Sequence, residues 1–457
     1  MVLPDWVKRF KTRGVEIRDF GNRYYAYRVS SHWDPVKERA VKVTGEYLGV
    51  VTRGGIVKKQ SLTEIRGDYD YGNVAFLYQV ASEKIVPILR ETFPYLYERM
   101  ISYSLLRLIH PLPIKSVRHL YLKTYLSKIM DESMTPSSIS GMLSSLPMDS
   151  MFDVMRRMTE KGEYILMDST AIFSRSSNIS ILDLGHNSKD IHLPQINVMM
   201  LFSVSREEPT FIRIVPGSIR DVTALVTTME MAGVERCVVI LDKGFYSTDN
   251  IKRLRSKHLS FIMPLRRNSS LIPETDEFQG VFTYEGRPIK YWLSVEGIYT
   301  YEDPVLRMEE ERDYLQRIKE GKSSKKSYME DQKNFGKIHL LSDLKEPPES
   351  IYRLYKKREY VEYAFNVFKN DLEADRSYLR DERMLFTYLF LNFLSLNIHF
   401  RILAMKDEKY SIQDILLILS RIKVYSVGDE EIMGEIPKDA RELVSDLKID
   451  LDVLRKY

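Results

Sequence analysis

Four residues between positions 355 and 369 have the types and spacing to handle phosphate chemistry. Tyr355, Arg358, Glu362 and Lys369 stand in the stretch YKKREYVEYAFNVFK, separated by three, four and seven positions. On a helix turning about 100° per residue, Arg358 falls at about −60° from Tyr355, Glu362 at about −20° and Lys369 at about −40°. All four then share one narrow stripe. Val361, Ala364, Phe365, Phe368 and Leu372 lie beside it at the spacing of a buried helix face. A carboxylate flanked by a phenol, a guanidinium and an ammonium suits an acid that holds a metal while its neighbours hold phosphate. The same residues would also serve a solvated amphipathic helix with i, i+4 ion pairs, so the rest of the chain has to decide.

Two more acids end apolar runs. Asp168 follows Tyr164-Ile165-Leu166-Met167, and Asp242 follows Val238-Val239-Ile240-Leu241. Both runs read as strands with an Asp at the end, where functional groups gather in α/β sheets. A turn or helix cap is the plainer role for either Asp taken singly. Together with Glu362 the three could share divalent metal. Hard ions such as magnesium take carboxylate oxygens, and two of them about 4 Å apart clamp an in-line displacement at phosphorus. Neither a thiol nor a catalytic histidine is needed.

Composition sets few limits beyond this. The chain has 457 residues, 44% hydrophobic and 29% charged, as in an ordinary globular protein, with a net charge of only +4. Basic residues do cluster locally, at Lys252, Arg253, Arg255, Lys257 and His258 and at Arg266 and Arg267. Such clusters fit nucleic acid or a solubilising surface. Cys237 is the only cysteine, which excludes an intrachain disulfide, a zinc ribbon and an iron–sulfur cluster. The start, MVLPDWVKRFKTRG, has no apolar core of a secretory signal. Met384–Leu403 is apolar but broken by Asn392, Asn397, His399 and Arg401, so it reads as a buried helix rather than a membrane span. A cytoplasmic protein with no membrane partner is the expectation.

The elements that must position the acids follow in order. Residues 1–65 read as a β-rich module, with strands at Tyr24–Val29 and Ala40–Val51 and a loop at His32–Pro35. Residues 66–160 read as helices, a candidate DNA-binding region or a plain bundle. There Pro87 is expected to kink or split the run Val80–Phe93, and Ile114–Met130 reads as one helix. From 161 to 265, strands (Leu182–Gly185 among them) and helices indicate a mixed α/β sheet. Residues 266–334 break that rhythm with hairpin strands at Gly280–Tyr284 and Ile289–Val295, a charged helix Asp303–Lys319 and a basic loop Gly321–Lys326. Residues 335–403 return to the earlier pattern, and 404–457 read as a helical C-terminal region.

In this order the residues carry a resemblance. The chain resembles insertion-sequence transposases of the DDE class, above all the branch whose third acid lies in a Tyr-x2-Arg-x3-Glu-x6-Lys (YREK) motif. Tyr355, Arg358, Glu362 and Lys369 match that spacing without departure. Met167-Asp168-Ser169-Thr170 resembles the first-acid region and Asp242-Lys243-Gly244-Phe245 the second, over roughly residues 160–380. The resemblance implies an RNase H-like catalytic core, a mixed sheet flanked by helices, interrupted by a β-containing insertion between the second Asp and the Glu. It implies that Asp168, Asp242 and Glu362 hold Mg2+, two ions with Mn2+ as a substitute, and that Tyr355, Arg358 and Lys369 contact phosphates near the cleaved end. In some relatives an aromatic of the insertion stacks on a displaced base. Trp292 and Tyr291 are the candidates, although packing their own hairpin is the plainer role. Terminal inverted repeats and target DNA would be the partners, with a homodimer in the DNA complex. The expected activity is metal-dependent cleavage and strand transfer. An RNase H-like nuclease without strand transfer, or an inactive or domesticated DNA-binding derivative, is the alternative. An Asp-nucleophile phosphatase fits less well, because Thr170 stands where its second acid belongs.

Overall fold

A computed structural model of the chain describes residues 3–21, 23–35, 37–57, 65–130, 132–159, 164–174, 176, 178–184, 193–218, 222–234, 238–241, 246–273, 277–374, 376–377, 379, 381–428 and 430–456. Two compact units result, Met1–Asp68 with Val424–Gly434, and Tyr69–Lys423 with Glu435–Tyr457.

In the first unit, β1 (Val15–Asp19), β2 (Tyr24–Asp34), β3 (Arg39–Thr52) and β4 (Gly55–Val57) form a meander in sequence order. The β-branched and aromatic runs of the sequence produce it. His32 and Trp33, expected in a loop, instead extend β2, paired with Val41 and Ala40. Their backbone groups are satisfied by the long hairpin, so no loop is needed until Pro35. A second sheet, with strand order β17-β16-β5, joins Ile65–Asp70 (β5) to the hairpin Lys423–Val427 (β16) and Glu430–Met433 (β17).

The second unit is built on a mixed sheet flanked by helices. Its strands are β6 (Ile165–Ser174), β7 (Gln195–Ser203), β8 (Glu208–Pro216), β9 (Val238–Ile240), β10 (Ser260–Pro264), β11 (Gly280–Tyr284), β12 (Arg287–Leu293), β13 (Ile298–Glu302), β14 (Lys337–Ser342) and β15 (Arg376–Ser377). The order is β11-β12-β13-β14-β10-β9-β6-β7-β8, with β15 beside β6. β6, β7 and β8 run antiparallel, while β9 is parallel to β6 and to β10. The hairpin strands of the 266–334 segment extend this same sheet through β13 and β14.

The helix Glu382–Met405 lies in the core of this unit, and 72% of its most apolar window is buried inside the protein. Three of its polar side chains donate to backbone carbonyls: Ser395 Oγ to that of Ser104 at 2.9 Å, Asn392 to that of Tyr388 at 2.8 Å and Asn397 to that of Phe393 at 3.0 Å. Such bonds offset the cost of burying a polar side chain.

Several sequence expectations shift by a few residues, each for a local reason. The run Val80–Phe93 breaks at Glu83 and Lys84, ahead of Pro87, which sits in the first turn of the helix Ile85–Thr92. A proline there removes an N–H that has no intrahelical partner anyway. Ile114–Met130 is two helices, Ile114–Lys123 and Leu126–Ile129, parted where Thr124 bridges to Asp70. The end of the basic loop is helical, because Ser324 caps Lys325–Asp331 by accepting from the Ser327 amide. Of Leu182–Gly185, only a single bridge of Asp183 to Gln195 forms among the described residues.

Candidate active site

Asp168 sits inside β6 and not at its end. Antiparallel pairing with β7 carries the strand on to Phe173, with Asp168 opposite Met200. The other side of β6 is shared. β9 pairs with Ile165 and Leu166, and β15 pairs with Phe173 and Ser174. Among the described residues no strand pairs on this side with the stretch between, which holds Asp168. Its Oδ1 accepts the Ser169 amide at 2.8 Å.

The stretch Tyr355–Lys369 is not one regular helix. Tyr355 ends the helix Pro348–Lys356, Arg358 opens the helix Arg358–Asn366, and Lys369 lies in a π-helical turn, Val367–Asp371. Lys357, with φ −62° and ψ −9°, makes the first break. The ideal 100° wheel therefore holds only between Arg358 and Glu362. The apolar side behaves as expected: Val361, Ala364, Phe365, Phe368 and Leu372 are all buried.

Arg358 brings two of the three acids together. Its Nη2 lies 3.2 Å from Glu362 Oε1, one helical turn on, and 3.6 Å from Asp168 Oδ2, across on the sheet. Arg358 and Asp168 are 16% and 18% exposed, whereas Glu362 is 58% exposed, so the cluster opens towards solvent on the Glu362 side. Several contacts fix the helix that carries it. Tyr360 stacks on Phe202 of β7 with ring centres 6.2 Å apart. The Tyr363 hydroxyl is 3.2 Å from His399 Nε2. Lys357 donates to the Val204 carbonyl at 3.3 Å and to Glu207 at 3.1 Å. Burial pushes the carboxyl of Asp371, at the end of the π turn, above its usual range. Burial also holds His399 neutral, lowering it to about 4.

Asp242 lies outside the described residues, as does the Lys243-Gly244-Phe245 that follows. Leu166 on β6 is the register partner of Ile240 on β9. In the sequence, Asp168 is two residues beyond the first and Asp242 two beyond the second. Tyr355 and Lys369 are partly buried, on the segments that flank the Arg358 helix. Trp292 is on β12, 8% exposed, with Lys337 Nζ 6.0 Å from its ring centre. Its face is covered in this conformation, while neighbouring Tyr291 is only partly buried.

As a test for metal, the donors present are hard carboxylate oxygens already gathered around one cation, the Arg358 guanidinium. That chemistry fits magnesium or manganese. Among the described residues no group of three His, Cys, Asp or Glu is close enough to hold an ion; Asp242 is not one of those residues.

Sequence reasoning missed Arg107. It lies on the helix Tyr97–Ile109, is 3% exposed, and ties four groups together. It donates to the carbonyl of Leu372, which caps the π turn, to the Leu112 carbonyl at 3.1 Å, to Asn392 Oδ1 at 3.1 Å and to the Tyr388 hydroxyl at 3.2 Å. A signal was there: an arginine inside the apolar run Leu105-Leu106-Arg107-Leu108-Ile109 must find acceptors when buried.

A family model described as "Transposase DDE domain" matches residues 160–398, a range that includes Asp168, Asp242, Tyr355, Arg358, Glu362 and Lys369. No curated protein matches the chain. Among solved structures it is similar to a chain of the cryo-EM structure of the piggyBac transposase synaptic complex with hairpin DNA. The identity is 11% and the TM-score 0.42, with 79% of this chain and 81% of that chain covered.

Proposed function

From a chain that belongs to the family of DDE transposases, we infer an insertion-sequence transposase of the YREK branch, which cuts DNA at the ends of its element and joins the freed strands to target DNA. The observation that carries this reading is the double contact of Arg358, which gathers Asp168 from the sheet and Glu362 from the helix at one point. A solvated helix would give Glu362 its i, i+4 partner but no contact with a strand acid.

Asp242 completes the set in this reading. The parallel register of β6 and β9 supports it, since equal steps beyond Leu166 and Ile240 reach both aspartates in the sequence. Asp168, Asp242 and Glu362 would hold two Mg2+ ions, with Mn2+ as a substitute. When bound, the ions supply the positive charge that stabilises an in-line displacement at phosphorus. The remaining work falls to the side chains. Arg358 offers a planar fork of donors, and a phosphate oxygen can replace one of its carboxylates. Lys369 adds a point charge and Tyr355 a phenolic donor beside the same end. Burial of the apolar face keeps these groups from drifting as the DNA arrives.

At the scale of domains, residues 161–265 and 335–403 would form an RNase H-like core, with 266–334 as its insertion. The mixed sheet flanked by helices supports this. Residues 66–160 are the candidate reader of terminal repeats, and two copies would join two ends in the DNA complex, in the cytoplasm. The test uses DNA carrying the sequences that flank the reading frame. Magnesium-dependent nicking at the element ends, followed by joining of pre-cut ends to a plasmid, is the expected result. Nicking without joining would favour the nuclease alternative, and neither would favour the DNA-binding derivative.

A further inference from the structure

The N-terminal unit presents a second surface that this chemistry does not use. Side chains of a strand alternate between the two faces of its sheet. On one face of β1–β4, Val7, Ile17, Ala26 and Val51 are buried and pack with Trp6, Phe10, Tyr24 and Leu48. The other face carries rings. Tyr25 and Tyr27 are one step out of phase with Ala26, and a bulge brings in a third. Ala26 pairs with Gly49 but Tyr27 pairs with Tyr47, so Leu48 is the extra residue and Tyr47 turns to the side of Tyr27. Phe20 joins at the end of β1, 60% exposed. The ring centres run as a chain, 5.5 Å from Phe20 to Tyr25, 6.2 Å from Tyr25 to Tyr47 and 5.4 Å from Tyr47 to Tyr27. Arg18 lies over Tyr27, its guanidinium carbon 4.8 Å from the ring centre, and donates to Thr44 Oγ1 at 2.7 Å. Lys42 is next to it, both cations meeting Glu16.

Charge indicates the kind of partner. Residues 1–68 contain fourteen Lys and Arg against eight Asp and Glu, although the whole chain is only +4. The three acids Asp429, Glu430 and Glu431 belong to the segment of the other sheet of the unit. A row of aromatic rings on a basic sheet suits a polyanion with open π-faces. Duplex DNA presents phosphates and base edges but keeps its base faces stacked; an unpaired strand offers them. We propose that Phe20, Tyr25, Tyr27 and Tyr47 form a stacking platform for unpaired DNA, with Arg18 and Lys42 beside its phosphates. The proposal rests on the reading of the chain as a DNA transposase and adds a separate, sequence-tolerant site to it.

The test is fluorescence anisotropy of the full chain with labelled oligothymidine and, separately, with labelled duplex. Wild-type protein should bind both. Tyr27→Ala/Tyr47→Ala should weaken oligothymidine binding by about tenfold or more and leave duplex binding within about twofold. Tyr27→Phe/Tyr47→Phe should restore it, because stacking needs the ring and not the hydroxyl. Should the alanine pair disturb the small core, Phe20→Ala removes an outer ring and should still cost severalfold. Oligothymidine binding unchanged in both alanine variants would overturn the platform. So would wild-type protein that binds duplex but no single strand, which leaves the transposase reading standing. Self-association lost in the alanine pair, with strand binding intact, would assign the face to a second copy instead. Binding of neither form of DNA would remove the platform and the transposase reading together.

Discussion

Arg358 holds one carboxylate from a strand and one from its own helix, at 3.6 Å and 3.2 Å. With DNA absent it offsets the repulsion of two acids that would otherwise face each other. In the proposed reading it would be a donor fork for phosphate at the reacting end. The two roles separate by mutation. Arg358→Ala should weaken binding of a pre-cut end about tenfold to 100-fold, the value of one charge-assisted contact, measured against uncut duplex as reference. Glu362→Gln should lower cleavage by about 100-fold or more and leave end binding nearly unchanged. Loss of folding in that variant would return the helix to a merely structural part. Two histidines set a pH limit. Burial lowers His339 and His399 to about 4, against 6.5 for the free side chain, so both are neutral in the fold. The unfolded chain takes up protons first as pH falls, so their contribution is complete above about 6.5 and is lost towards 4. Each contributes at most about 3 kcal/mol over that window. Urea unfolding at pH 7 and pH 4.5 should show the fall, and His339→Asn should reduce it.

The elements behave less regularly than a helical wheel. The sequence around Tyr355, Arg358, Glu362 and Lys369 pointed to helical structure and to its buried side, Val361, Ala364, Phe365, Phe368 and Leu372, because apolar spacing is local information. It could not show the break at Lys357 or the π turn at Val367–Asp371. That turn ends where Leu372 gives its carbonyl to Arg107, a residue 265 positions away. π turns of this kind recur at functional sites. The placement of Asp168 was missed for the same reason. The strand outlasts the aspartate because Gln195–Ser203 pairs with it from Ile165 to Phe173, and pairing across such a distance leaves no trace in the run Tyr164-Ile165-Leu166-Met167. The hairpin was legible, since alternation along a strand is local too: Gly280–Tyr284 forms as expected, and the strand expected at Ile289–Val295 forms two residues earlier, at Arg287–Leu293. Arg107→Met tests the clamp. It strands the carbonyls of Leu372 and Leu112 and the amide of Asn392. We expect a loss of about 3 kcal/mol in urea unfolding, and slower cleavage by the protein that remains folded.

Across the whole molecule, two acids of the reading are in contact through one arginine, and the third, Asp242, lies outside the described residues. The family match over residues 160–398 states the class, and the Arg358 cluster is the candidate site for its chemistry. A chain with a net charge of +4 gains little from its overall field. Its DNA affinity should come from local phosphate contacts. Affinity for duplex ends should then fall steeply with salt, log K decreasing with a slope of about −0.9 per phosphate contacted. A flat salt response would argue against a phosphate-based site. The most direct measurement is cleavage of flanking-sequence DNA in magnesium by wild-type protein and by Asp168→Ala, with folding and duplex binding checked on the same preparations. The account predicts cleavage by the wild type, and loss of cleavage with binding retained in Asp168→Ala. Equal cleavage by the two proteins would contradict it.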